Sequence, residues 1–173
     1  MTVSQATGPI TDASLFTAVL SHFASGITVI SSTSDGRPVG LTCQSFFSLS
    51  LDPPMVAFSV ARTSTSFAAI RRAGDFVVNV LSAEQRDVSS AMARSGTDKW
   101  ADVRWERGTI TGHPVIEETL AYLECRIAAE YDGGDHVIVT AHVLGLGHAT
   151  HETARPLLFY RSSYHGLADH ARA

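Results

Sequence analysis

The segment LAYLECRIAAEYDGGDHVIVTAHVLGLG, residues 120–147, decides how this chain folds. Its two halves, 120–132 and 136–147, are long and rich in apolar and β-branched residues, and Gly133-Gly134-Asp135 between them is a tight-turn signal. They predict a long antiparallel hairpin. Outward from it the pattern repeats. ITVISST (27–33) and PVGLT (38–42) flank SDGR, whose Asp-Gly pair is a hairpin turn. MVAFSVA (55–61) and DFVVNVL (75–81) are further strands, and RPLLFYRSSYHG (155–166) closes the chain with a last one. Helices are short. Thr11 or Asp12 caps one whose Leu15, Phe16, Val19, Leu20 and Phe23 fall at helical spacing, with Gly26 as its stop. Ser64 or Thr65 caps a second, stopped by Gly74, and Ser82 with Gln85 forms a capping box for SAEQRDVSSAMAR. Asp52-Pro53-Pro54 breaks the ladder, and 95–114, with two tryptophans, reads as a long loop. Many hairpin-linked strands and few helices argue for a mainly β, closed antiparallel barrel rather than a parallel α/β sheet.

Composition fits one domain over 11–166, between a loose tail at 1–10 and another at 167–173. Of the 173 residues 45% are hydrophobic, enough for a core, and 17% are charged, which is lean for a protein surface and hints at a covering partner subunit. The net charge of −4 and the absence of a basic run argue against nucleic acid as the partner. No apolar run approaches a membrane span, and MTVSQATGPITDAS carries no secretory signal, which leaves the cytoplasm by default. Cys43 and Cys125 fit no CxxC spacing; Cys43 reads as a small half-buried strand residue.

Several chemistries are missing. There is no GxSxG elbow, no P-loop and no GxGxxG. His148 and His151 form HxxH without a third ligand nearby, and His136 and His142 lie roughly 20 Å apart along one strand, too far to share an ion. No metal is expected. What remains is a pocket without a nucleophile or acid–base pair, as in proteins whose chemistry belongs to a bound cofactor.

Two clusters suit a flavin. TCQSFFSLSLDPP, 42–54, carries Thr42, Gln44, Ser45, Ser48 and Ser50 before its first charge at Asp52. Extended, it puts Phe47, Leu49 and Leu51 on one face and Ser48 and Ser50 on the other. Neutral donors there can bond the carbonyl edge of a flavin ring and its ribityl chain; a barrel strand with one wet face has the same composition. ARTSTSF, 61–67, offers Arg62, four hydroxyls (Thr63, Ser64, Thr65, Ser66) and a helix N-terminus, hence a phosphate cradle or simply a well-capped helix.

FASGITVISS, GLTCQSFFSLSLDPPMVAFSV, FVVNVL, LECR, GDHVIV and PLLFYRSSYHG, in that order from about Leu15 to Gly166, resemble the short-chain flavin reductases, the reductase components of two-component flavin monooxygenases. The resemblance implies an FMN-binding split β-barrel of Greek-key type. It also implies a homodimer, FMN or FAD as flavin, NADH or NADPH as hydride donor, and a separate monooxygenase as partner. By the same resemblance Thr42, Cys43, Gln44, Ser45 and Phe46, continued by Ser48 and Leu49, line the flavin. Thr63, Ser64, Thr65 and Ser66, with Arg62 beside them, hold its phosphate side, and Lys99 in DKW is a further flavin contact. His136 lies beside the nicotinamide as the catalytic-site histidine, Tyr164 near the same pocket, and Arg161, Ser162 and Ser163 against the nucleotide. Two other readings stand beside this one: an FMN-binding oxidase or electron carrier on the same barrel, and a non-catalytic split-barrel module.

Overall fold

A computed structural model describes residues 12–149 and 155–167. The expected tails, except Leu167, and His151 and His170 lie outside the described residues. Helix α1 spans Ala13–Leu20, α2 Thr65–Ala73 and α3 Arg86–Ala93, the last led in by a 3-10 turn at Ala83–Gln85. The strands are β1 Ser25–Gly26, β2 Thr28–Ser34, β3 Arg37–Cys43, β4 Phe47–Leu51, β5 Pro54–Ala61, β6 Asp75–Val80, β7 Trp105–Arg107, β8 Pro114–Ile116, β9 Ala121–Gly133, β10 His136–His148, β11 Leu158–Tyr160 and β12 Ser163–His165.

Seven of them form one antiparallel sheet in the order β3-β2-β6-β9-β10-β5-β4. The long hairpin β9–β10 is its middle, with Gly133 opposite His136 and Gly134 at φ 79° in the turn. Asp35 and Gly36, at φ 51° and 74°, make the two-residue turn of β2–β3, the left-handed pair that matches strand twist. The sheet curls around Phe58, Phe76, Ile30 and Ile70, all fully buried, and α2 adds Phe67 and Ile70 to that core. A second cluster of Ile27, Val29, Leu81, Met92 and Leu157 lies under α3.

Four expectations are corrected. Asp52-Pro53-Pro54 does not end a ladder; it is the turn of the β4–β5 hairpin, with a cis Asp52-Pro53 bond and Leu51 opposite Pro54. The tryptophan region is not all loop: β7 and β8 pair, and the Trp100 and Trp105 rings meet edge to face. The closing segment is not one strand but a small hairpin, β11–β12, turned by Arg161 and Ser162 at positive φ and attached to β1. Finally, α1 forms where its periodicity predicts, capped by Asp12, but it ends at Leu20 with Ser21 as its C-cap rather than at Gly26, which lies in β1, and it buries none of its residues.

Glu124 of β9 is only 1% exposed. It accepts hydrogen bonds from the N–H groups of Ile110 and Thr111 and the hydroxyls of Thr109 and Thr111. Gly108 must lack a side chain because a Cβ there would lie 2.6 Å from Glu124 Oε2. Burial alone would raise this carboxyl, and the donors from Thr111, Ile110 and Thr109 outweigh it, holding the group below its ordinary value. A depressed carboxyl stabilises the fold above its unfolded pKa and loses that stabilisation as acid titrates it through the lower folded value. Glu124→Gln should therefore cost about 1–3 kcal/mol at neutral pH in urea unfolding. The deficit should shrink as the pH falls below the ordinary glutamate range; equal deficits at both pH values would refute this account.

Candidate functional site

β3 and β4 are consecutive in the chain but lie at opposite ends of the sheet order, so Gln44–Phe46 must carry the chain across the gap that would close the barrel. Ser45 bridges that gap. Its hydroxyl donates to the carbonyl of Ser59 on β5 and accepts from the Ser59 N–H, both at 2.8 Å. One side chain thus makes the paired bonds that a neighbouring strand's backbone would make. Cys43 Sγ lies 3.3 Å from the same oxygen. Burial pushes the Cys43 thiol up, against opposing hydrogen bonds from Ser45, so it stands as a neutral thiol.

Beside this seam lies a groove of about 400 Å³. Leu41, Thr42 and Cys43 line it from the end of β3, Gln44 and Ser45 from the seam. Ser59, Val60 and Ala61 line it from β5, Ser64 from the cap of α2, and His136 from the start of β10. His136 arrives there because its register partner on β5 is Ala61. Six of the sequence-predicted residues, distant in the chain, therefore face one space: Thr42, Cys43, Gln44, Ser45, Ser64 and His136. Among the described residues, no carboxylate and no Lys or Arg lines it.

The hydrogen-bond inventory separates engaged groups from available ones. Thr42 Oγ1 donates to the Ser89 carbonyl at 2.6 Å, which leaves it only acceptor capacity toward the groove. Ser64 Oγ accepts from Phe67 N–H as the α2 cap. Ser66 Oγ accepts from Lys99, whose ammonium also donates to the carbonyls of Gly40 and Met92. Lys99, its pKa lowered by burial, is thus a three-way tie and faces the hollow beside α3 rather than the groove. The Gln44 amide and the Thr63 and Thr65 hydroxyls are exposed and take no hydrogen bond within the described residues. Thr65 and Ser66 begin α2, where the first backbone N–H groups have no intrahelical acceptor.

Other predicted residues lie apart from the groove. Arg62 donates to Gly134 O and Asp132 Oδ1, latching the tip of the β9–β10 hairpin. Phe46 packs against the barrel core. Ser48 and Leu49 lie on the outer strand β4, where a bulge between Ser48 and Ser50 breaks the alternation the sequence suggests and leaves Phe47, Leu49 and Leu51 all exposed. Arg161 and Ser162 form the turn of the C-terminal hairpin, and Ser163 begins β12 opposite Tyr160. Tyr164 packs on the second core cluster with its hydroxyl 2.9 Å from Ser89 Oγ. Sequence reasoning missed Ser59 and Ser89. Ser89 carried a signal: a serine inside an amphipathic helix, where serine is disfavoured unless its hydroxyl has a use.

The flavin reductase like domain model matches residues 20–168. The chain is 45% identical over 156 residues to the reductase subunit HsaB of a flavin-dependent monooxygenase from Mycobacterium tuberculosis (strain ATCC 25618 / H37Rv), covering 90% of this chain and 83% of the relative. It is 36% identical over 157 residues to a flavin reductase (NADH) of Kitasatospora aureofaciens, covering 90% and 82%. Among solved structures it superimposes with a TM-score of 0.89 on an NADH:FAD oxidoreductase of Streptomyces globisporus in complex with NAD and FAD fragments, at 29% identity over 98% of this chain and 100% of that one. With nitrilotriacetate monooxygenase component B from Mycobacterium thermoresistibile the TM-score is 0.87 at 40% identity, covering 92% and 90%.

Ser45→Ala removes both seam bonds and leaves the Ser59 backbone unpaired there. It should lower stability by about 1–3 kcal/mol. Amide exchange at Ser59 should quicken more than at Phe58, which lies deeper in β5. An unchanged Ser59 exchange rate would show that the seam does not depend on this hydroxyl.

Proposed function

The chain belongs to the flavin reductase-like family, and on that premise we propose that the groove beside the Ser45–Ser59 seam is where it binds FMN or FAD. The observation that carries this is the donor set: neutral groups from two chain-distant segments, with one imidazole, around a single space of about 400 Å³, within the usual range for small-molecule sites. The groups present fit a flavin. The free Gln44 amide can donate to a ring carbonyl, and Thr42, its proton already engaged, can accept from a ring N–H or ribityl hydroxyl. The Thr63 and Thr65 hydroxyls and the α2 N-terminus supply donors and a positive dipole end for phosphate. The lining has no carboxylate to repel a ring that gains negative charge on reduction.

The chain is an NAD(P)H:flavin oxidoreductase that serves a separate monooxygenase. A bound flavin supplies a two-electron acceptor for the hydride of NADH or NADPH. The protein's part is alignment and exclusion of water. His136 stands at the open end of the groove with Nδ1 2.7 Å from Asp135 Oδ1. That contact orients the ring so that Nε2 can meet the nicotinamide nucleotide, and no proton need move through it. A grip of neutral hydrogen bonds releases the reduced product readily to the oxygenase component. The relatives named for NADH support NADH as the donor.

The reading includes a single domain over 11–166, action in the cytoplasm, and a homodimer. Among the described residues no helix is long and apolar enough to cross a membrane. Helix α1 presents Leu15, Phe16, Val19 and Leu20 at 44–61% exposure, and Phe23 beyond it is 80% exposed. Such an apolar stripe on a chain with few surface charges needs cover, and a second copy supplies a matching one.

Nicotinamide oxidation at 340 nm should require added FMN or FAD. His136→Ala should raise KM for the nicotinamide nucleotide by about tenfold, the worth of one positioning hydrogen bond, and leave that for flavin nearly unchanged; an unaltered nucleotide KM would remove His136 from the site. In analytical ultracentrifugation the protein should sediment as a dimer, and Phe16→Asp with Leu20→Asp should shift it toward monomer. A wild-type monomer at micromolar concentration would refute the dimer.

A further inference from the structure

We propose that Tyr164 and Ser89 are positioning residues that act on the flavin side of the groove through Thr42, and that Tyr164 is not a nicotinamide contact. The proposal rests on the flavin reading above and says how its acceptor at Thr42 is held in place. Ser89 is fully buried on α3 and belongs to no groove wall. It bonds in two directions: its hydroxyl pairs with Tyr164 Oη at 2.9 Å, and its carbonyl accepts from Thr42 Oγ1 at 2.6 Å. A side chain from the C-terminal hairpin and a side chain lining the groove thus meet on one residue.

The geometry makes α3 the part that transmits. It is eight residues long, buries Ser89 and Met92 fully and sets Val88 half-buried against the second cluster, so its apolar hold on the barrel rests on two side chains. Tyr164 grips it at two points three residues apart, where side chains share a helix face: the hydroxyl on Ser89 and the ring under the Arg86 guanidinium, 5.3 Å from the ring centroid. Tyr164 is itself set by its register partner Phe159, whose ring meets it edge to face at 5.4 Å. Loosening Tyr164 therefore frees α3 to shift, and the carbonyl that fixes the Thr42 hydroxyl shifts with it. Once its proton is no longer held by Ser89, Thr42 stops presenting a fixed lone pair to the groove. The loss falls on flavin binding, because Thr42 lies on the wall across from His136.

The test is a double-mutant cycle on the full chain: Tyr164→Phe, Ser89→Ala and both together. Flavin Kd comes from fluorescence titration with FMN, KM for NADH from the assay at 340 nm, and the thermal midpoint is recorded for each protein. Each single variant should weaken FMN by about threefold to tenfold, the worth of one hydrogen bond, with KM for NADH unchanged, and the double variant should be no worse than the weaker single. Thr42→Val should weaken FMN at least as much, and adding Tyr164→Phe to it should change nothing further. A raised KM for NADH in Tyr164→Phe alone would make Tyr164 a direct nucleotide contact and overturn the proposal. So would a lowered thermal midpoint with FMN affinity intact, or additive losses in the double variant. Wild-type protein that fails to bind FMN would instead sink the flavin reading, and that result is seen before any variant is made.

Discussion

The hydroxyl of Ser45, bonded in both directions to the backbone of Ser59, is the contact on which the rest of the molecule depends. A sheet ordered β3-β2-β6-β9-β10-β5-β4 places chain neighbours β3 and β4 at its two ends. Three residues must span the opening, and three residues cannot form a strand and turn a corner as well. A side chain with one proton and two lone pairs serves as a one-residue strand, pairing where backbone cannot reach. The barrel is therefore held at its seam without being sealed, and the groove is the part of the seam left open. The same loop that closes the fold lines the groove, so the fold and the proposed site share Gln44 and Ser45.

This economy explains the density of hydroxyl groups. Thr42, Ser45, Ser64 and Ser66 all carry hydrogen bonds within the protein. They hold the surrounding structure in place; the side chains of Gln44, Thr63 and Thr65 take no hydrogen bond within the described residues. Charge would serve badly in either role. A carboxylate at the seam would need full compensation of the kind Glu124 receives from the 109–111 loop, and a lysine would grip an anionic product too firmly to release it. Lys99 shows the alternative: a cation drawn into the structure, its donors given to two carbonyls and a hydroxyl, and so withdrawn from the groove.

Much of this was legible from the residues. The β9–β10 hairpin, the Asp35-Gly36 turn and the Ser64 cap each rest on local chemistry, and local chemistry decided them. The gathering of Thr42–Ser45 with Ser64 and His136 follows from a family pattern together with strand register. What stayed hidden is what depends on distant partners. A serine in a polar run looks the same whether its hydroxyl faces a ligand or, like that of Ser45, replaces a strand. The turn at Arg161-Ser162 lacks the glycine that marks a left-handed pair, because attachment to β1 forces a conformation that local preference would not choose. The bulge in β4 depends on pairing with β5 and leaves no mark in the alternation of Phe47, Leu49 and Leu51. Helix α1 was legible as a helix; that its apolar face has no cover among the described residues was not, since periodicity reports a face and never what lies against it.

The remaining constraint is mechanical. Arg62 closes the segment before α2 onto the hairpin tip through its own N–H to Asp135 O, its Nε to Gly134 O and its outer nitrogen to Asp132. An exposed ion pair of this kind adds little stability, so its value lies in geometry. The segment leading into α2 and the turn that precedes His136 are joined by the same three bonds. Both are carried by β5 and β10, whose register runs unbroken from His136 opposite Ala61 to His142 opposite Met55. On the opposite wall Thr42 is held in the β2–β3 ladder opposite Val29, and Gln44 follows in the seam loop. The groove thus lies between a wall tied to the hairpin tip by three bonds and a wall whose last residues, Gln44 and Ser45, have left the strand ladder and are tied by the paired Ser45–Ser59 bonds. For the proposed site that asymmetry has a use: the wall tied to the hairpin is suited to setting an alignment, and the wall that ends in a loop is suited to letting a ligand pass.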